Sequence, residues 1–271
     1  MVHIQHTSTP IQAQAENDDQ DKWSSKKYVK NASFVPVLGA PVVQLLNPQP
    51  HEHILDLGAG DGILTLDLEK RCKSVVAVDA SADMIRAAQE AGCQDARVVD
   101  GHDLVDHELA NGQFDAVFSN AALHWMKRDP VRVIQGVSKC LKPNGRFVAE
   151  CGGFMNCAEV RGALHAALRK RGHNPEEYDP WFFPGPKTYR KMLEDNGFQV
   201  ESMDLIPRLT ELSTDTAGWV DTFGFAFLAP IEDEEERKRI VQEVQETLSF
   251  SCDDGAWYIM YVRLRFKAIK A

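Results

Sequence analysis

The sequence predicts an α/β fold: a doubly wound, Rossmann-like, mostly parallel sheet carrying helical lid insertions. Three observations predict it. Short β-branched runs alternate with helical patterns from residue 53 to about residue 149, the rhythm of units in which each crossover helix returns the chain to a parallel strand. The first run ends in a glycine-rich turn, Asp56-Leu57-Gly58-Ala59-Gly60-Asp61-Gly62, that opens at once into a helical pattern. A length of 271 residues, 44% of them hydrophobic and 26% charged, is enough to bury roughly three quarters of the unfolded surface, the scale of one large domain or of a domain with an elaborated lid.

In chain order, residues 1–22 run into the acidic stretch Glu16-Asn17-Asp18-Asp19-Gln20-Asp21 and read as a flexible tail. Strands are expected at 53–57, 74–78, 96–99, 114–118 and 145–149, with amphipathic helices near 62–72, 82–91 and 130–141. The turn Lys142-Pro143-Asn144-Gly145 ends the last of these helices. After Gly153 the rhythm changes to a helix at 157–171, a proline- and aromatic-rich loop at 178–186 and a helix at 187–196. A strand at 199–206, helices at 215–225 and 232–249 and a final strand at 257–266 complete the chain. The organisation read from this is a tail (1–22), an α/β core with an N-terminal helical segment (23–152), and a lid and substrate-binding region that also returns strands to the core sheet (153–271).

Composition narrows the function. The 30 Lys and Arg against 40 Asp and Glu give a formal charge of −10, without the broad positive field that nucleic-acid binding needs. The longest apolar stretch, residues 34–43, is interrupted by Pro36, Gly39 and Pro41 and falls short of the roughly 18 to 20 residues that span a bilayer. The N-terminus lacks a secretory pattern, and six cysteines at scattered spacings fit neither a disulfide scaffold nor a thiolate zinc site, so a cytoplasmic protein with reduced thiols is expected. His51-Glu52-His53 would diverge on entering a strand, so no metal is expected there. A small-molecule partner is the expectation, with the oligomeric state open.

The glycines at 58, 60 and 62 let the backbone turn tightly and approach a ligand, and free N–H groups at a helix start favour an anion. A dinucleotide fingerprint would need a third glycine where Ile63 stands, which disfavours a nicotinamide reductase. Asp79, at the end of the second strand and 23 residues after Asp56, suits the two hydroxyls of a ribose. Loop and acid together point to a nucleoside that carries an amino-acid carboxylate.

With Asp79-Ala80-Ser81-Ala82-Asp83-Met84, Val99-Asp100-Gly101-His102-Asp103, residues 114–121 and Leu141 to Phe147, this pattern resembles the class I S-adenosylmethionine-dependent methyltransferases over residues 23–271. The resemblance implies S-adenosyl-L-methionine as cofactor and S-adenosyl-L-homocysteine as product. It would place Asp56, Gly58, Ala59 and Gly60 at the methionine end, Asp79 on the ribose, Ala80 and Met84 on the adenine face, Asp100, Gly101 and His102 at the adenine edge, and Asn120 and Ala121 under the sulfonium. His102 stands where the family often has an acid.

Within that superfamily the chain is similar to trans-aconitate methyltransferases in Trp23-Ser24-Ser25-Lys26-Lys27-Tyr28, Asn120 to Trp125, Trp219 to Gly224 and Arg263 to Phe266. That likeness implies a substrate site formed by Trp23, Tyr28, His124, Trp125, Trp219 and Arg263, with His124 the candidate catalytic residue. The family's basic residue after the late tryptophan is replaced here by Phe223-Gly224-Phe225-Ala226-Phe227-Leu228, so O-methylation of a carboxylate on a relatively apolar acid is expected. A phenol, amine or carbon acceptor with His124 as base, and a non-catalytic cofactor-binding protein, are the alternatives.

Overall fold

The structure, a computed structural model, describes residues 35–271. The tail at 1–22, Trp23 and Tyr28 lie outside the described residues. Helix α1 (Val35–Leu46) leads to β1 (His53–Leu57), α2 (Ile63–Glu69), β2 (Ser74–Asp79), α3 (Ala82–Ala91), β3 (Ala96–Val98), β4 (Phe114–Asn120), α4 (Pro130–Cys140) and β5 (Leu141–Gly152). Then follow α5 (Ala158–Lys170), the single turn α6 (Pro175–Tyr178), α7 (Pro186–Asp195), β6 (Phe198–Glu211), α8 (Thr216–Phe223), α9 (Glu234–Thr247), β7 (Cys252–Asp253) and β8 (Ala256–Lys270).

The sheet order is β3-β2-β1-β4-β5-β8-β6. Strands β1 to β5 are parallel, and β8 runs antiparallel between β5 and β6. This is the expected doubly wound α/β fold. The order reverses between β1 and β4, which opens a crevice at the carboxyl ends of those strands, where open α/β sheets bind ligands.

Period-two alternation divides the core. Ile54, Phe118 and Val148 join Val42, Val43 and Leu46 of α1 on one face of the sheet. Their neighbours Leu55, Val117 and Phe147 join Ile134 and Val137 of α4 and Tyr189 and Leu193 of α7 on the other. A third cluster, built from α5, α8, α9 and the start of β8, buries Trp181, Trp219, Phe227 and Ile259 and covers the crevice. Side-chain caps set the helix starts: Ser81 accepts from the Met84 N–H, Asp129 from Arg132 and Asp215 from Gly218.

Three elements differ from the sequence expectation. Helix α2 has seven residues, far fewer than 62–72. The residues expected as a turn after α4 lie inside β5, where Asn144 takes a left-handed φ of 61° and the register with β4 shifts. The last two long strands extend well past 199–206 and 257–266, pairing from Phe198 opposite Lys270 to Glu211 opposite Tyr258. Pro207 does not stop β6, because β6 is an edge strand and its missing N–H breaks no ladder on the outer side. No helix among the described residues is long and apolar enough to cross a membrane.

Candidate active site

Every site residue expected from the sequence within 35–271 lines one cavity of about 640 Å³, within the range of small-molecule sites. The ends of β1, β2 and β4 and the turn after β3 form its inner half. Gly58 has φ 76°, and a Cβ there would lie 2.1 Å from Cβ of Ala122, so only glycine fits. Gly60 has φ 57° and, its chain neighbours aside, no atom of the described residues lies within 4 Å of where a Cβ would stand, so the loop presents bare backbone to the cavity.

The loop's donors differ from the expectation of free N–H groups. Gly58 and Ala59 donate to the Val78 carbonyl at 2.8 and 3.0 Å, Gly62 donates to Ala59, and Gly60 donates to Asp79 Oδ2 at 3.0 Å. The other oxygen of Asp79 accepts from the Ser81 N–H at 2.9 Å. Asp79 therefore braces the loop through both of its oxygens. What the inner half offers in place of an anion grip is acid: Asp56, Asp61, Asp79 and Asp100 all line it.

Asp56 is 2% exposed. Burial pushes its carboxyl up to about 7, the Thr65 hydroxyl at 2.7 Å opposes this, and the charge of Asp79 adds to it. Burial likewise raises Asp61.

Beyond Asp79 the wall is Ala80, Met84, Val99 and Met126, with Asp100, Gly101 and His102 at its edge. Burial disfavours the charged form of Asp100, but the backbone N–H and ring of His102, with Arg128, hold its carboxyl below the usual range. Nδ1 of His102 lies 2.7 Å from Asp100 Oδ1. An ionised carboxylate needs a donor there, so the neutral ring carries its proton on Nδ1 and Nε2 is an acceptor. Nε2 of His102 and Oδ1 of Asn120 are buried and have no hydrogen-bond partner among the described residues, the state a donor-bearing ligand relieves.

The outer half is aromatic. The single 3₁₀ turn Leu123–Trp125 after β4 places His124, which is 7% exposed, and Trp125 at the boundary between the halves. Nδ1 of His124 accepts from the Gly152 N–H at 3.2 Å, which leaves the proton on Nε2. Burial, then the positive charge of Arg263, holds the ring's pKa well below the usual histidine range. Trp125 is parallel to Phe225, with ring centroids 6.1 Å apart, and meets Trp181 edge-on. Trp219 donates from Nε1 to the Tyr261 hydroxyl at 2.6 Å. Ala226 lines the same wall.

Arg263 is 8% exposed, and its guanidinium lies 4.4 Å from the Tyr261 ring centroid. It forms no ion pair with any described carboxylate, whereas the neighbouring Arg208 and Arg265 both pair with Glu150. A buried cation without a counter-ion, facing a cavity, is costly unless a ligand completes it.

A methyltransferase-domain model matches residues 55–149. An uncharacterized methyltransferase of Schizosaccharomyces pombe is 44% identical over 261 residues, covering 93% of this chain and 99% of that protein. The chain belongs to the methyltransferase family. An S-adenosylmethionine-dependent methyltransferase from Mesorhizobium loti shares the fold at a TM-score of 0.51, with 17% identity over 86% of this chain and 97% of that one. A phosphoethanolamine N-methyltransferase from Haemonchus contortus, solved with S-adenosylhomocysteine, does so at 0.53, with 16% identity over 86% of this chain and 52% of that one.

S-adenosyl-L-methionine is the cofactor of this methyltransferase. The residues present fit it: acids where an ammonium and a sulfonium need them, backbone unencumbered at Gly60, and an unmet acceptor at His102 beside an apolar slot. Several lining residues escaped the sequence reading. Tyr261 and Phe225 had only their spacing from Arg263 and Trp219 as a signal, and Asn156 had none.

Proposed function

We propose that this methyltransferase acts on a small molecule and methylates a carboxylate oxygen of a relatively apolar acid. The observation that carries the proposal is Arg263, buried, stacked on Tyr261 and without a described counter-ion, at one end of an aromatic pocket. Its planar fork suits a carboxylate. The aromatic rings and Ala226 leave the rest of the acceptor without a charged partner, the point at which the chain departs from the trans-aconitate-like pattern that it otherwise follows.

On this reading Asp56, Gly58, Ala59 and Gly60 hold the methionine end of the cofactor, Asp79 the ribose, Ala80 and Met84 the adenine face, Asp100, Gly101 and His102 its edge, and Asn120 and Ala121 the region of the sulfonium. Bound S-adenosylmethionine supplies an electrophilic methyl group. Arg263 binds the acceptor carboxylate, and the Nε2–H of His124 orients it. A carboxylate is already ionised at neutral pH, so no group on the protein has to remove a proton, and positioning supplies most of the rate. Residues 153–271 serve as the lid and acceptor-binding part, and 23–152 as the cofactor-binding core.

A screen of monocarboxylic acids, phenols and amines with methyl-labelled S-adenosylmethionine tests the reading. Transfer to monocarboxylates is expected. Transfer to phenols or amines alone would reject it.

A further inference from the structure

Residues 179–185, between α6 and α7, have no regular secondary structure, yet they supply Trp181 and Phe183 to the cavity wall. Without a backbone ladder their position depends on other bonds: Phe154 N–H donates to the Pro184 carbonyl at 2.9 Å near the far end, and the side-chain bonds at the near end converge on one carboxylate. The Asp179 side chain is 1% exposed. Its Oδ2 accepts from Nε of Arg161 and from Nε2 of His165 at 3.0 Å, both on α5. Its Oδ1 accepts from the Trp181 N–H at 3.0 Å. Its backbone carbonyl accepts from Nζ of Lys127 at 2.7 Å, just past the turn that carries His124 and Trp125.

One residue later, Phe182 N–H donates to the His124 carbonyl at 2.9 Å. Arg161 also lies over the Phe183 ring, 5.7 Å from its centroid. The loop is thus tied at one end to α5 through Asp179 and at the other to the backbone of His124. Trp181, held between these ties, packs against Trp125, Trp219 and Phe227 at centroid distances of 5.9, 5.9 and 5.2 Å.

We infer that Asp179 is a positioning residue for the acceptor pocket, setting Trp181 and Phe183 and the register of the loop against His124 while leaving the cofactor half untouched. The inference rests on the reading of the outer half as the acceptor site. A carboxylate suits this role because it accepts three donors at once, which asparagine cannot do. Losing it leaves the Arg161 guanidinium and the Trp181 N–H without their acceptor and frees the loop to sample other positions. Acceptor geometry is then lost even where the fold persists, since a small misplacement of reacting groups is costly.

The test compares wild type, Asp179→Ala, Asp179→Asn and, as a control for a merely structural brace, Arg169→Ala, which removes an exposed ion pair to Glu176 of the same segment. Three readouts are taken: S-adenosylhomocysteine affinity by calorimetry, the Trp181 resonance in 5-fluorotryptophan-labelled protein assigned with Trp181→Phe, and steady-state methyl transfer to phenylacetate and octanoate. For Asp179→Ala we expect cofactor affinity within about twofold of wild type, a broadened or split Trp181 resonance, and an acceptor KM raised by about tenfold or more. Asp179→Asn should fall between, and Arg169→Ala should match wild type. If Asp179→Ala does not fold, Asp179→Asn and Arg161→Lys carry the same expectations. A single sharp wild-type resonance in a folded variant, whatever its melting temperature, overturns the inference. The resonance decides the point even where neither acid is methylated, so that failure of the carboxylate reading stays distinguishable.

Discussion

The backbone N–H of Gly152 donates to Nδ1 of His124 across 3.2 Å, and this one bond assigns the tautomer of the histidine between the two halves of the cavity. Gly152 ends β5, where it pairs with Arg263 of β8, so the same strand pairing that fixes the ring also brings a guanidinium to its side. A ring so placed is a neutral donor through Nε2. It is ill suited to accept a proton.

The first prediction follows from that. His124 stays neutral across the working range, because burial and Arg263 both disfavour the imidazolium. With a carboxylate acceptor, already ionised well below pH 6, kcat should be flat from about pH 6 to 9. His124→Gln keeps a side-chain N–H and should retain turnover within about tenfold of wild type. A rate that climbs with pH and collapses by about 10²-fold in His124→Gln would make the residue a general base.

Asp56 gives cofactor binding a pH dependence of definite sign. Its carboxyl titrates at about 7 in the free protein, and a cationic amine selects the charged form. The dissociation constant for S-adenosylhomocysteine should therefore rise by up to about tenfold per unit as pH falls below 7 and level off above it. A folded-state pKa above the ordinary aspartate value of 3.8 means that Asp56 favours the apo fold at acid pH, a contribution lost between about pH 4 and 7 and worth up to about 4 kcal/mol. Asp56→Asn should accordingly stabilise the apo protein at pH 8 and weaken its cofactor binding. Calorimetry and thermal melts across pH check both signs; an affinity independent of pH contradicts the assignment.

Asp79 has two tasks, and its variants should separate them. Asp79→Ala removes the acceptor for Gly60 and Ser81 as well as the proposed ribose contact, and should weaken S-adenosylhomocysteine by about 10- to 150-fold. Asp79→Asn keeps one oxygen and should lie between. Wild-type affinity in a folded Asp79→Ala protein removes the residue from the site.

On the proposed reading, His102 accepts from the adenine amine, and it can do so only while Asp100 holds its proton on Nδ1. Wild-type protein should prefer S-adenosylhomocysteine over S-inosylhomocysteine, whose ring carbonyl faces the same lone pair, by about 10-fold or more. His102→Ala should erase most of that preference. Discrimination unchanged in His102→Ala assigns the reading to the backbone.

That the residues expected at the cofactor would meet in one half of a cavity was legible in the sequence, because their placement is local. Glycines at 58 and 60 and acids at 56 and 79 sit at strand ends only a few residues from the turns that aim them. The sequence could not show that the loop's N–H groups are spent on Val78 and Asp79, since that depends on how β1 meets β2. The acceptor half was legible as residues but not as a mechanism. Arg263 could be named from its strand and its Tyr261 neighbour from the i, i+2 spacing, yet its place beside His124 follows from the pairing of Gly152 with Arg263, across more than a hundred residues. Asp179 carried no signal, because a loop aspartate before proline is ordinary until its three donors are seen.

The most direct test of carboxylate methylation is the base lability of the product. Methyl-labelled S-adenosylmethionine is incubated with the protein and a panel of apolar monocarboxylic acids, phenols and amines, and the recovered product is treated with alkali. The account predicts label released as volatile methanol from a monocarboxylate, with kcat/KM lowered by about 10²-fold or more in Arg263→Gln, the cost of removing one partner of a buried charge pair, and with cofactor affinity unchanged. Label that survives alkali on a phenol or amine, or transfer indifferent to Arg263→Gln, would contradict it.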